Sequence, residues 1–278
     1  MPAPLRVDTH VHLTRAWPDL EHNSYDPSVD FTIQGLLREL DQHGIRFAVV
    51  LATFQVPTVA ENVTELEQLT RDSGGRLLPV STVDPSRGPD EIARAIEVWE
   101  QFPKLAGIKL YPGYLPFYPH DRRLEPVYEY AARRRIPVLV HQGDTMDPDG
   151  LVKFSRPLEL DEVAVRYRDV RFVLCHLGNP WVEEAAEVVY KNANVFTDTS
   201  GLLASPRVRY FPRMLERARR RLYNAIVTIG SPDRILYGSD WPLESIGTAV
   251  ELVEQLDLPT EDRAAILGGN AVRLFGLG

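Results

Sequence analysis

His10 and His12, two residues apart in Val7-Asp8-Thr9-His10-Val11-His12, present two imidazoles to one side of an extended segment, because successive strand side chains alternate between faces. Two imidazoles held that way can grip one metal ion. Few other polar residues end apolar runs: Lys109 in Gly107-Ile108-Lys109, His141 in Val138-Leu139-Val140-His141-Gln142-Gly143, His176 in Val173-Leu174-Cys175-His176-Leu177-Gly178, and Asp240 in Tyr237-Gly238-Ser239-Asp240-Trp241-Pro242. Ionisable groups there must be hydrogen-bonded, paired or bound to metal. Singly, each has a plain explanation as a satisfied core histidine or a turn-forming aspartate. Gathered at one mouth they form a metal centre.

Eight aliphatic or β-branched runs could position them, at residues 6–13, 46–53, 77–84, 105–111, 136–141, 171–176, 194–199 and 234–240. Each is followed by a loop and an amphipathic helical pattern. Asp30 is the expected cap of the helix that stops at Gly44, and Pro89-Asp90-Glu91 opens another. Arg133-Arg134-Arg135 reads as the basic end of a helix rather than a nucleic-acid patch. Eight strand–helix units in this length predict a single α/β domain over residues 1–278, a (β/α)8 TIM barrel. The long loops at 14–29, 112–122, 143–156 and 201–212 would lie on the active face. Tyr111, Tyr114, Phe117 and Tyr118 crowd one of them, as a pocket wall or as loop packing. Trp181 and Trp241 are further candidates for the cavity lining, whereas His22 and His120 read as loop residues and His43 as surface.

Composition narrows the function. The 278 residues are 44% hydrophobic and 25% charged, with a net charge of −8, so a partner as acidic as nucleic acid is not expected. The longest apolar stretch is broken by Thr and Gln, and the N-terminus lacks basic and apolar targeting regions, which predicts a cytoplasmic protein without a membrane span. The single cysteine, Cys175, allows no intrachain disulfide and reads as a small core residue. No glycine-rich nucleotide loop and no Gly-x-Ser-x-Gly elbow is present.

The ligand pattern resembles the amidohydrolase superfamily of metal-dependent barrels. Gly107-Ile108-Lys109-Leu110-Tyr111-Pro112, Pro157-Leu158-Glu159, Cys175-His176-Leu177-Gly178, Gly238-Ser239-Asp240-Trp241-Pro242 and Gly269-Asn270-Ala271-x-Arg273-Leu274-Phe275 are most similar to its amidohydrolase-related branch, which includes aminocarboxymuconate-semialdehyde decarboxylase. The resemblance implies that His10, His12, His141 and Asp240 bind a divalent metal, zinc with manganese as the alternative, one ion rather than two. It also implies that Asp240 and His176 are catalytic, with His176 off the metal as acid or base. Asp8, on the same strand face one layer deeper, would fix an imidazole tautomer or serve as a structural hydrogen-bonding acid below the site. Lys109, Tyr111, Trp181 and Trp241 would contact a small-molecule substrate. Lys109 could instead pair with Asp240 or Asp198, or bridge two ions as a carbamate. A homodimer is implied as well.

The leading expectation is a hydrolase in which metal-bound hydroxide attacks an amide, ester or lactone of a small carboxylated or cyclic compound. The alternative is non-oxidative decarboxylation of a small unsaturated or aromatic acid. A TatD-type nuclease would need a glutamate ligand where this chain offers Lys109, and a binding module would be expected to lack a ligand.

Overall fold

In the computed structural model of the protein, residues 5–14, 16, 24–55, 57–203 and 210–277 are described. Eight parallel strands form one sheet in sequence order. They are β1 (Arg6–Val11), β2 (Ile45–Leu51), β3 (Leu77–Thr82), β4 (Gly107–Leu110), β5 (Val138–Val140), β6 (Phe172–Leu174), β7 (Val195–Asp198) and β8 (Ile235–Leu236). Backbone bonds from Thr9 N to Tyr237 O, Asp240 N to His10 O and His12 N to Trp241 O join the last strand to the first. This is the (β/α)8 barrel read from the sequence.

Alternation along the strands sorts the side chains. Val49, Leu51, Val80, Leu139, Val173, Cys175 and Leu236 form the inner cluster, while Ala48, Val50, Ile108, Leu110, Val138, Val140 and Leu174 pack outward among the helices. In β1 the register shifts between Asp8 and Val11. That shift lets Val7 join the inner cluster while His10 and His12 still line the mouth.

The helices that follow the strands include α1 (Ile33–Gln42), α2 (Val59–Asp72), α3 (Pro89–Glu100), α4 (Glu125–Arg134), α5 (Asp161–Arg166), α6 (Val182–Lys191), α7 (Phe211–Ile229) and α8 (Ile246–Glu254). α3 opens at Pro89, and Arg133 and Arg134 occupy the last turn of α4, both as read from the sequence. The cap of α1 is Thr32, whose Oγ1 accepts from Gly35 N at 3.0 Å. Asp30, expected in that place, instead accepts from Arg38. No helix among the described residues is long and apolar enough to cross a membrane.

Candidate active site

The C-terminal ends of β1, β4, β5, β6 and β8 deliver His10, His12, Lys109, His141, His176 and Asp240 to one cavity of about 480 Å³, a size suited to a small organic ligand. Asp240 and His176 adopt left-handed backbone conformations, with φ of 63° and 65°. Such geometry costs a non-glycine residue about 1–2 kcal/mol and is concentrated at functional sites. Two glycines make room for the imidazoles. A Cβ on Gly201 would stand 2.7 Å from His176 Nδ1, and one on Gly238 would stand 2.9 Å from His10 Cβ.

His10, His12 and Asp240 form one group of metal-competent donors. Asp240 Oδ1 lies 3.5 Å from His10 Nε2 and 3.4 Å from His12 Nε2. Burial opposes the charge of Asp240, but the neighbouring His10 and His12 outweigh it and hold the carboxyl below the ordinary range. His10 Nδ1 donates to Asp198 Oδ2 at 2.9 Å, which leaves Nε2 as the lone-pair nitrogen. That nitrogen and Asp240 Oδ1 are buried without a hydrogen-bond partner among the described residues. An orphaned imidazole nitrogen and an orphaned carboxylate oxygen, turned toward each other, are what a divalent cation would satisfy.

The second pair of histidines leads to the same conclusion. His141 Nε2 donates to Asp144 O at 2.9 Å, since a carbonyl can only accept. Ser200 Oγ gives its hydrogen to Asp198 Oδ1 at 2.5 Å and therefore accepts from His176 Nδ1 at 2.9 Å. The remaining nitrogens, His141 Nδ1 and His176 Nε2, face each other at 3.0 Å. Burial, then mutual repulsion, holds His141 neutral, and burial, then His10, lowers His176 to about 3. Two facing lone pairs on neutral rings call for a cation. The donors fit a divalent metal, with His176 Nε2 facing the His141 nitrogen that would hold it.

The sequence reading overlooked Asp198 as the organiser. Its carboxylate ends β7 and accepts from His10 Nδ1, from His176 N at 2.7 Å and from Ser200. Burial resists its charge, yet His10 keeps it ionised below the usual range. Of the two readings for Asp8, the structural acid is the one its contacts match: it accepts from His10 N and Ser239 N at 3.1 and 3.0 Å, tying β1 to the segment after β8. The signal for Asp198 was its place at a strand end, which the sequence linked only to Lys109.

Lys109 is fully buried. Its Nζ lies 3.0 Å from Cys175 Sγ and 5.2 Å from the Tyr111 ring centroid. The expected salt bridge to Asp240 or Asp198 is not formed, because the ammonium is turned to the thiol. Tyr111 lines the cavity through its ring while its hydroxyl donates to Ala52 O. Tyr114 also lines the cavity, 4.7 Å from the His141 ring, whereas Phe117 is core and Tyr118 packs on His120 and Phe154.

Both tryptophans require correction. Trp241 is fully buried, stacks on Phe31 and donates to Glu39 Oε1 at 3.0 Å. Trp181 is half-buried at the start of α6 beside Arg156. Neither lines the cavity, since each ring already has a protein surface to cover. His120 pairs with Glu159 at 3.5 Å, and His22 lies outside the described residues.

Burial pushes the Cys175 thiol up to about 12 despite the adjacent ammonium. Folded protein should therefore resist iodoacetamide at pH 8 and be alkylated once after denaturation, as read by intact mass; prompt labelling of folded protein would refute this burial.

The comparisons bear on the chemistry. A γ-resorcylate decarboxylase from Polaromonas sp. (strain JS666 / ATCC BAA-500) is 29% identical over 132 residues, 40% of this chain and 36% of that protein. A γ-resorcylate decarboxylase from Rhodococcus jostii (strain RHA1) is 24% identical over 204 residues, 59% of this chain and 57% of that protein. The chain thus matches between about a third and just over half the length of these curated relatives. The crystal structure of a dihydroxybenzoic acid decarboxylase from Polaromonas sp. JS666, with bound manganese and the inhibitor 2-nitroresorcinol, superposes with a TM-score of 0.68 at 18% identity, covering 100% of this chain and 98% of that one. The expectation of hydrolysis is corrected by these relatives, which carry the chemistry held as the alternative. The amidohydrolase family model matches residues 7–277, and the chain belongs to that family of enzymes.

Proposed function

We propose that the protein is a metal-dependent, non-oxidative decarboxylase of a small aromatic carboxylic acid. The observation that carries this reading is the Lys109 ammonium, buried in the lining of the cavity beside the metal donors and without a carboxylate partner among the described residues. An uncompensated buried cation is costly, and an anionic substrate would supply its counter-charge. The decarboxylase relatives supply the reaction type.

His10, His12, His141 and Asp240 would hold one divalent ion, for which zinc suits the nitrogen and oxygen donors. When bound, the ion contributes positive charge that stabilises the electron density released as the carboxylate leaves. Lys109 anchors the substrate's negative charge. Tyr114, Leu202, Leu203 and Leu243 enclose the ring and exclude water. The carbon–carbon bond breaks, carbon dioxide departs, and one proton takes its place on the ring carbon. Asp240 and the Nε2 of His176, both in the cavity lining, would hold and pass that proton.

Protein loaded with zinc or with manganese should release carbon dioxide from 2,6-dihydroxybenzoate or a related hydroxybenzoate, in equal amount to the phenol formed. Chelation should reduce the rate by about a hundredfold or more. Failure to release carbon dioxide from any aromatic acid, with either metal, would reject the reading.

A further inference from the structure

Glu244, in the turn that leaves β8, has no part in the donor set yet lines the same cavity beside Leu202, Leu203, Met214 and Leu243. It is only 4% exposed. Its Oε1 accepts from Leu203 N at 2.7 Å, which fixes the direction of the carboxyl group. Its Oε2 is buried without a hydrogen-bond partner among the described residues. A ligand that fills this apolar part of the cavity displaces any water there and must replace its hydrogen bond.

We propose that Glu244 reads a hydroxyl group on the substrate through Oε2, a role that rests on the decarboxylase reading above. A hydroxyl fits because it can donate to a carboxylate and accept from a carboxylic acid. An ammonium or an ether would match only one of those forms. Burial and the neighbouring Asp240 push the Glu244 carboxyl well above its ordinary range. The acid form, with Oε1 held as acceptor by Leu203, would then point its O–H at the substrate oxygen.

The test titrates benzoate and the three monohydroxybenzoates into metal-loaded protein by calorimetry, using the natural chain, Glu244→Gln and Glu244→Leu. At one ring position the hydroxyl should tighten binding by about tenfold or more in the natural protein. Glu244→Gln should keep most of that gain, because its amide can still accept from Leu203 and donate to the hydroxyl. Glu244→Leu should reduce it to about twofold or less without weakening benzoate. A gain that survives Glu244→Leu would overturn the proposal. So would equal binding of all four acids by the natural protein, a result that needs no variant and leaves the decarboxylase reading standing. If none of the four binds, the aromatic-acid reading fails and this inference fails with it.

Discussion

Asp240→Asn should leave a folded barrel that neither retains metal nor turns over substrate, and His12→Ala should do the same. Asp240 occupies a left-handed backbone position that asparagine tolerates well, so this substitution removes the charge without adding backbone strain. The loss falls on an oxygen shared between His10 Nε2 and His12 Nε2 at 3.5 and 3.4 Å. Losing a ligand should exceed the roughly 10–100-fold effect of losing a residue that only orients one, so metal affinity should fall by more than about a hundredfold. Bound metal after dialysis, circular dichroism and initial rates together check this. A variant that keeps stoichiometric metal and normal turnover would remove Asp240 from the site.

Asp198→Asn should weaken metal binding by about 10–100-fold while leaving His10, His12 and Asp240 in place. The carboxylate accepts from His10 Nδ1 and thereby leaves Nε2 free as a lone pair. An amide can turn its NH2 toward His10, which favours the opposite tautomer and puts a hydrogen where the metal should be. The same substitution disturbs Ser200, whose hydroxyl organises His176. Chelator competition gives the affinity, and the rate at saturating metal separates weakened binding from impaired chemistry. An unchanged metal affinity would mean that Asp198 only ties β7 to the segments around it.

The barrel was legible because its strands are short apolar runs at regular spacing, and Lys109, His141, His176 and Asp240 interrupt those runs where the strands end. Their convergence follows from the barrel alone. Other features depend on contacts between distant segments. Nothing in the periodicity shows the register shift after Asp8, so Asp8 seemed to sit directly beneath the histidines, whereas it spans two backbone amides. Asp198 and Ser200 acquire their roles only when β7 lies beside β6 and one strand away from β1 across the barrel closure. Trp241 is adjacent in sequence to Asp240, but the left-handed turn at Asp240 sends the two side chains to different places, the carboxylate to the cavity and the indole to Phe31 and Glu39. Glu244 carried no periodic signal, and its importance rests on one buried oxygen without a hydrogen-bond partner among the described residues, in a residue that lines the cavity.

Hydrolysis and decarboxylation draw on the same donor residues, and the fate of solvent atoms separates them. The decisive measurement is the reaction of metal-loaded protein with 2,6-dihydroxybenzoate in deuterium oxide enriched in oxygen-18, with the product analysed by mass spectrometry. Decarboxylation predicts resorcinol carrying one deuterium at the carbon that bore the carboxylate, no oxygen-18 in the ring product, and an equal amount of carbon dioxide. A product that gains solvent oxygen without losing carbon dioxide would contradict it, as would unchanged acid with this and every related hydroxybenzoate.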